Sequence, residues 1–187
     1  MASSAFKQSG SQPTQSPSEF MDRFSTEWLI AERLHADHLP DLVVRISMPR
    51  CRVISAECAR RWRRRPLDVN MAHWDQHGFG LWALRTKDGA FAGRSGIRHI
   101  LVDDVDEIEI AYTFKREFWV AGLASQIASA LTDIGLAQLE LPSLVGLVFV
   151  GHVASRRVLE KANYVLDDSS QRGRRDLSHQ TLRTQQP

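Results

Sequence analysis

The stretch Ile108 to Leu131, IEIAYTFKREFWVAGLASQIASAL, constrains the fold more than any other part of the chain. Glu107–Phe114 alternates, with Ile108, Ile110 and Tyr112 on one face and Glu107, Glu109, Ala111 and Thr113 on the other, which predicts a strand. From Leu123 the period becomes helical, and Leu123, Ile127, Leu131 and Ile134 form one apolar stripe. A short turn holding Gly122 joins the two. A helix N-terminus offers unpaired N–H groups and a partial positive charge, which suit a phosphate or pyrophosphate. Small residues at the turn, Ala121, Gly122 and Ala124, let an anion approach the backbone closely. The same glycine also suits a plain tight turn from strand to helix, and the stretch alone leaves both readings open.

The flanking sequence predicts the other elements. A short strand covers Trp28–Arg33, and His38–Ile46 places Leu39, Leu42, Val43 and Ile46 on one helical face. Ser55, Glu57 and Cys58 form a helix start that leads into Ala59–Trp62. Leu81–Arg85 and Phe91–Val102 flank Lys87-Asp88-Gly89, a hairpin signal. Pro142 precedes an apolar strand at Leu144–Val150, followed by a helix over Ala154–Ala162 and a strand at Tyr164–Leu166. The predicted order is one β-α start, an antiparallel meander, then β-α-β-α-β.

Composition sets the outer bounds. Residues 1–20 include 11 Ser, Gln or Pro and read as a disordered tail, and 169–187 read as a flexible polar tail. Between them, 21–168 form one domain. The formal net charge is +2, too small to favour nucleic acid or acidic lipid as a main partner. Cys51 and Cys58 are too few for a disulfide framework and match no zinc pattern, so a reducing compartment is the expected home. The most apolar run, Leu144–Val150, is too short to span a bilayer, and the N-terminus has no stretch resembling a secretory signal. A cytoplasmic protein without a membrane partner is expected.

Three segments together resemble the GCN5-related N-acetyltransferase (GNAT) family, and most closely its branch that acetylates ribosomal-protein N-termini and related amines. They are TEWLIAERLHADHLPDL from Thr26, HGFGLWALRTKDGAFAGRSGIRHI from His77, and EIAYTFKREFWVAGLAS followed by HVASRRVLEKANY. The resemblance implies an α+β fold, a central mixed, mostly antiparallel twisted sheet flanked by helices, with acetyl-CoA wedged where two strands splay. It also implies direct transfer of the acetyl group to a primary amine in a ternary complex, with no metal, by a monomer or homodimer.

The chain departs from the family pattern at three places. Val120 and Ala121 follow Trp119 where a glycine and a long polar side chain are usual, while Gly122 and Ala124 match; this implies a weaker hold on acetyl-CoA. His152 replaces the asparagine that begins the closing helix, and Leu159 replaces a tyrosine used by many members as general acid.

The resemblance assigns Glu109 as the base and Ser155 as the acid that protonates the departing thiolate. It places acetyl-CoA against Tyr112, Thr113 and Phe114, whose backbone N–H groups supply the oxyanion contact, and against Ala121, Gly122, Leu123, Ala124, Ser125 and His152. Each residue also has a plain structural reading. Glu109 can be an exposed strand glutamate opposite a cation, Ser155 a helix cap, and His152 a surface histidine at a helix end. Arg60, Arg61, Arg63, Arg64 and Arg65 around Trp62 read mainly as a solvated face, and RNA or an acidic protein patch is the alternative. His73 and His77 have the i, i+4 spacing of a metal pair but lack an intervening glutamate. Asp103, Asp104, Asp106 and Glu107 read as a solvated acidic turn. The rival function is a non-catalytic acyl-CoA-binding or protein-interaction module with the same fold.

Overall fold

A computed structural model of the chain describes residues 22–43, 56–102, 104–119, 121–167 and 179–185, with the side chains of 56–66 left out. Ile46, Ser55, Val120, the arginine run around Trp62 and the segment 1–20 lie outside the described residues or side chains.

Among the described residues, eight strands form one sheet in the order β1-β2-β3-β4-β5-β6-β8-β7. They are β1 (Arg23–Ser25), β2 (Leu29–Arg33), β3 (Leu81–Thr86), β4 (Phe91–Val102), β5 (Val105–Phe114), β6 (Val145–Phe149), β7 (Tyr164–Leu166) and β8 (His179–Thr184). Every pairing is antiparallel except β5 with β6. The helices are α1 (Leu39–Val43), α2 (Ala56–His77), α3 (Leu123–Asp133), which runs on into a π turn at Ile134–Gln138, and α4 (Val153–Lys161). This is the mixed α+β sheet with flanking helices that the sequence predicts.

Both faces of the sheet are covered, which is why β5 alternates without leaving one face wet. On one side the stripe Leu123, Ile127, Leu131 and Ile134 packs with Trp82, Leu84, Ile97, Ile110 and Leu159. On the other side Leu42 and Leu67 pack with Leu34, Leu81, Ala83 and Phe91, with Met71 and Ala111 at the margin.

Several predicted boundaries shift. The first strand starts at Leu29, and a short strand, β1, precedes it. The helix predicted over His38–Ile46 is a single turn at Ala36–His38 followed by α1 within the described residues. The helix predicted to lead into Ala59–Trp62 extends to His77 and runs through Pro66, although a proline there forfeits one backbone hydrogen bond.

The largest correction concerns the C-terminus. Part of the stretch read as a flexible polar tail, His179–Thr184, is β8, a strand inserted between β6 and β7. Its apolar content is small: Leu182 joins the apolar core, and Thr181 and Thr184 are buried beside it. Two backbone ladders and the Arg183 side chain hold it instead. Arg183 grips Glu107 through both terminal nitrogens, at 2.6 and 2.9 Å, and Asp167 through Nε at 2.9 Å. Glu107 is therefore part of a largely buried ion-pair network, not of a solvated turn.

His73 and His77, whose spacing alone resembles a metal pair, are engaged in contacts within the fold. His73 Nδ1 donates to the Phe79 carbonyl at 2.8 Å, and Nε2 accepts the His99 amide at 3.0 Å, so both ring nitrogens are occupied. The rings of His77 and His99 stack beside it, and His99 reaches Asp106. Burial pushes the His73 imidazole below its usual range; the Phe79 contact opposes the shift, while His77, His99 and Arg98 add to it. His38 is lowered as well, chiefly by burial.

The folded state thus binds fewer protons at these sites than the unfolded chain. Their contribution to stability is complete above the ordinary histidine value of 6.5 and is lost as pH falls below it. The melting temperature should drop between pH 7.5 and pH 5, and the slope should be shallower in His73→Asn. Equal slopes in the two proteins would contradict this account of His73.

Candidate active site

The site forms where the sheet comes apart. β5 and β6 share one parallel bridge, Glu109↔Val145. Beyond it β5 continues to Phe114 and β6 to Phe149 without further pairing, so the β6-facing edge of β5 from Ile110 onward has backbone groups outside any ladder. Each strand then leads into a helix, β5 into α3 and β6 into α4.

The α3 N-terminus opens without a side-chain cap. Gly122 caps it at φ +75°, a left-handed conformation that other residues adopt only under strain. No side chain caps the helix, and a Cβ at Gly122 would meet nothing within 4 Å. Gln126 bonds back to the Gly122 carbonyl, while the first-turn N–H groups of Leu123, Ala124 and Ser125 precede the intrahelical ladder. No acidic side chain sits in that turn to compete. The acceptor groups of an acyl-CoA pyrophosphate fit such an end. The long polar side chain common in this loop is absent from Ala121.

At the α4 N-terminus, His152 is the N-cap, and its Nδ1 accepts the Ser155 amide at 3.1 Å. It does the capping work of an asparagine with an imidazole acceptor. Ser155 is therefore not the cap. Its hydroxyl meets the Tyr112 hydroxyl at 2.9 Å, and Tyr112 also lies 3.1 Å from the Ser155 carbonyl, to which it donates. Tyr112 thus crosses the gap from β5 to α4. Burial raises its phenol above the usual value, partly offset by the Ser155 contact, so the group stays protonated at neutral pH. Leu159, one turn further along α4, is buried, and its δ-carbons fill the space left by the missing side chain of Gly146.

Glu109 occupies the opposite face of β5. It is buried, at 7 % exposure, rather than an exposed strand residue. Arg98 lies directly across on β4 and places both Nε and Nη2 at 2.8 Å from Glu109 Oε2. The two nitrogens on one oxygen fix the carboxylate and leave Oε1 outside the fork. Beside this pair, Arg98, Arg94, Ala111 and Thr113 line a cleft of about 90 Å³. Thr113 and Phe114 continue β5 along it, opposite Arg94 and Gly93.

The structure therefore brings Glu109 to the splay point, and Tyr112, Ser155 and His152 together across the gap. Residues Ala121 to Ser125 stand at the entry to α3. Arg98, Arg94 and the Tyr112 hydroxyl were not singled out from the sequence. Arg98 was within reach, because the Val102↔Val105 turn fixes the β4–β5 register and puts residue 98 opposite 109.

A parallel strand pair that parts after one bridge, with an uncapped helix end beyond it, defines the N-acetyltransferase class of α+β domain. The chain belongs to the acetyltransferase (GNAT) domain family, which it matches over residues 29–165. It is 31 % identical over 103 residues to the uncharacterized protein YkkB of Bacillus subtilis (strain 168), a match covering 54 % of this chain and 60 % of that one. Among solved structures it is similar to an acetyltransferase from Agrobacterium tumefaciens str. C58, at 22 % identity and TM-score 0.71, covering 98 % of this chain and 100 % of the other. It also resembles the ribosomal-protein-S5-alanine acetyltransferase from Vibrio fischeri, at 12 % identity and TM-score 0.65, covering 87 % and 95 %. At these identities the structural likeness is one of fold. No helix among the described residues is long and apolar enough to cross a membrane.

Proposed function

We propose that the protein transfers the acetyl group of acetyl-CoA to a primary amine by direct attack within a ternary complex. The observation that carries this reading is the single Glu109↔Val145 bridge, which opens the sheet beside a buried carboxylate on one side and a hydroxyl pair on the other. Glu109, held by Arg98, takes a proton from the incoming ammonium, directly or through water. Backbone N–H groups on the open edge of β5, in the Tyr112–Phe114 segment, stabilise negative charge on the thioester oxygen. Ser155 supplies the proton to the departing thiolate and regains one from solvent, while the Tyr112 hydroxyl, anchored on the Ser155 carbonyl, holds the serine in place. The α3 N-terminus, from Ala121 to Ser125, takes the pyrophosphate, and His152 holds the first turn of α4 in place.

Two results follow. A thiolate is a good leaving group, so Ser155→Ala should lower kcat by only about tenfold, below the common range for acid–base groups. Tyr112→Phe should lower it less, since the serine remains. Steady-state rates of the two variants check this, and equal loss in both would make Tyr112 the donor.

Binding is tested by melting. Acetyl-CoA at one hundred times its Kd should stabilise the fold by about 2.7 kcal/mol. An unchanged melting temperature at millimolar acetyl-CoA would overturn the reading. A shift without turnover of any amine would favour the rival, a non-catalytic acyl-CoA-binding module.

A further inference from the structure

One side chain crosses the strand at which the sheet opens. The register puts Glu109 of β5, Val145 of β6 and Arg183 of β8 in one row. Residues paired across a ladder share a face, so all three lie on the Glu109 face of the sheet. Neighbouring strands are about 4.8 Å apart, which separates β5 from β8 by roughly 10 Å with β6 between them. Arg183 spans that distance. Its Nη1 and Nη2 donate to the two Glu107 carboxylate oxygens at 2.9 and 2.6 Å, and Nη1 also lies 3.2 Å from Ser143 Oγ. Glu107 precedes Glu109 by two residues, and Ser143 precedes Val145 by two, so the contact falls on the side of the bridge away from the gap.

A parallel pair with a single bridge has almost no ladder to fix the angle at which it opens. Each half of the sheet is held by its own ladders, β5 on β4 and β6 on β8. On the α3 and α4 side, apolar packing joins the halves through Ile110, Val148, Ile127 and Leu159. On the Glu109 face, the bidentate Arg183–Glu107 pair joins them. It is shielded, with the side chains 29 % and 16 % exposed, and bidentate pairing fixes direction as well as distance. The bridge and this fork are two fixed points about 7 Å apart along β5, and together they set the direction in which the strand leaves β6.

We propose that Arg183 is a positioning residue for the acyl-CoA gap: by gripping Glu107 across β6, it fixes the angle at which β5 and β6 part. The inference rests on the acetyltransferase reading for the ligand and deepens it, while the fork itself stands apart from that reading. Asp167, which accepts from Arg183 Nε at 2.9 Å, follows β7 and ties the arginine to its own half of the sheet.

Glu107→Gln combined with Arg183→Gln removes the fork without leaving a lone charge on β5, and Asp167→Asn keeps it as the control for anchoring of β8. Amide hydrogen exchange of the free proteins needs no ligand. In the double variant, exchange at the amides flanking the bridge, 109–111 and 145–147, should quicken about tenfold, while β2 and β3 stay within about twofold. Asp167→Asn should leave the bridge amides within about twofold. The Kd for acetyl-CoA should rise about tenfold in the double variant, the factor expected when the gap is correctly set in about one molecule in ten. The kcat at saturating acetyl-CoA should stay within about twofold, because bound acetyl-CoA re-forms the gap. Arg183→Lys keeps the charge but not the fork, and it gives the same comparison at smaller amplitude should the double variant not fold. Unchanged exchange at the bridge in a folded variant would overturn the proposal. A uniform rise over the whole sheet, or a Kd that moves equally in Asp167→Asn, would reduce Arg183 to an anchor of β8 and overturn it as well. If the natural protein binds no acetyl-CoA, the acetyltransferase reading falls, and the exchange pattern alone decides for or against the fork.

Discussion

Glu109→Gln is expected to lower kcat by about a hundredfold or more at neutral pH, the lower end of the range for a positioned acid–base group. The substitution keeps the shape of the side chain and removes its capacity to take a proton. The Kd for acetyl-CoA should hardly move, because the predicted pyrophosphate contacts are at the far end of the site, on α3. Raising the pH should restore part of the rate, since the amine then loses its proton to solvent. Arg98 would face a neutral amide in this variant, so its melting temperature has to be measured beside the rate. A folded variant with unchanged kcat would reduce Glu109 to a strand residue that neutralises Arg98.

The second large effect is structural. Gly96 lies between Arg94 and Arg98 on β4, where β3 and β4 approach closely. A Cβ there would sit 2.2 Å from the Gly80 carbonyl oxygen and 2.5 Å from the Leu81 Cα, both backbone atoms. No rotamer change relieves such a contact; one strand has to move away from the other. Gly96→Ala should cost about 3 kcal/mol or more, the upper part of the range for overpacking. For a chain of this size that is a fall of roughly 6–12 °C in melting temperature. The same displacement would distort the cleft, so activity should fall at temperatures where the variant is still folded. Thermal melting of Gly96→Ala within a degree or two of the natural protein would contradict the close β3–β4 contact.

The sequence shows the elements whose signals are local. The alternation of Ile108, Ile110 and Tyr112 and the stripe from Leu123 to Ile134 recur in β5 and α3, because burial on a flat sheet and on a helix imposes those two periods. Lys87-Asp88-Gly89 marks the β3–β4 hairpin for the same reason. β8 was hidden because Arg183, Thr181 and Thr184 resemble tail residues until Glu107, Asp167 and two neighbouring strands are in place. The α2 helix was cut short by local signals, although its later turns are fixed by tertiary packing of Leu67 and Trp74.

The site divides along the same line. Gly122 and its small neighbours are legible, since a tight turn into a helix needs them. Glu109 and Ser155 could be named from a family resemblance, but their surroundings could not. Whether Glu109 is exposed or buried depends on packing over its face of the sheet, and whether Ser155 caps a helix depends on His152 taking that place first. The Tyr112–Ser155 contact joins residues 43 apart, and no local pattern reports it.

Acetyl transfer itself is the claim on which the account stands. The direct measurement follows thiol release from acetyl-CoA with and without a primary amine, and weighs the amine afterwards. The account predicts release that depends on the amine, an amine heavier by one acetyl group for each thiol released, and loss of both in Glu109→Gln. Acetyl-CoA bound by a folded protein, with no amine-dependent release across a panel that includes amino acids, amino-acid amides and N-terminal peptides, would contradict it.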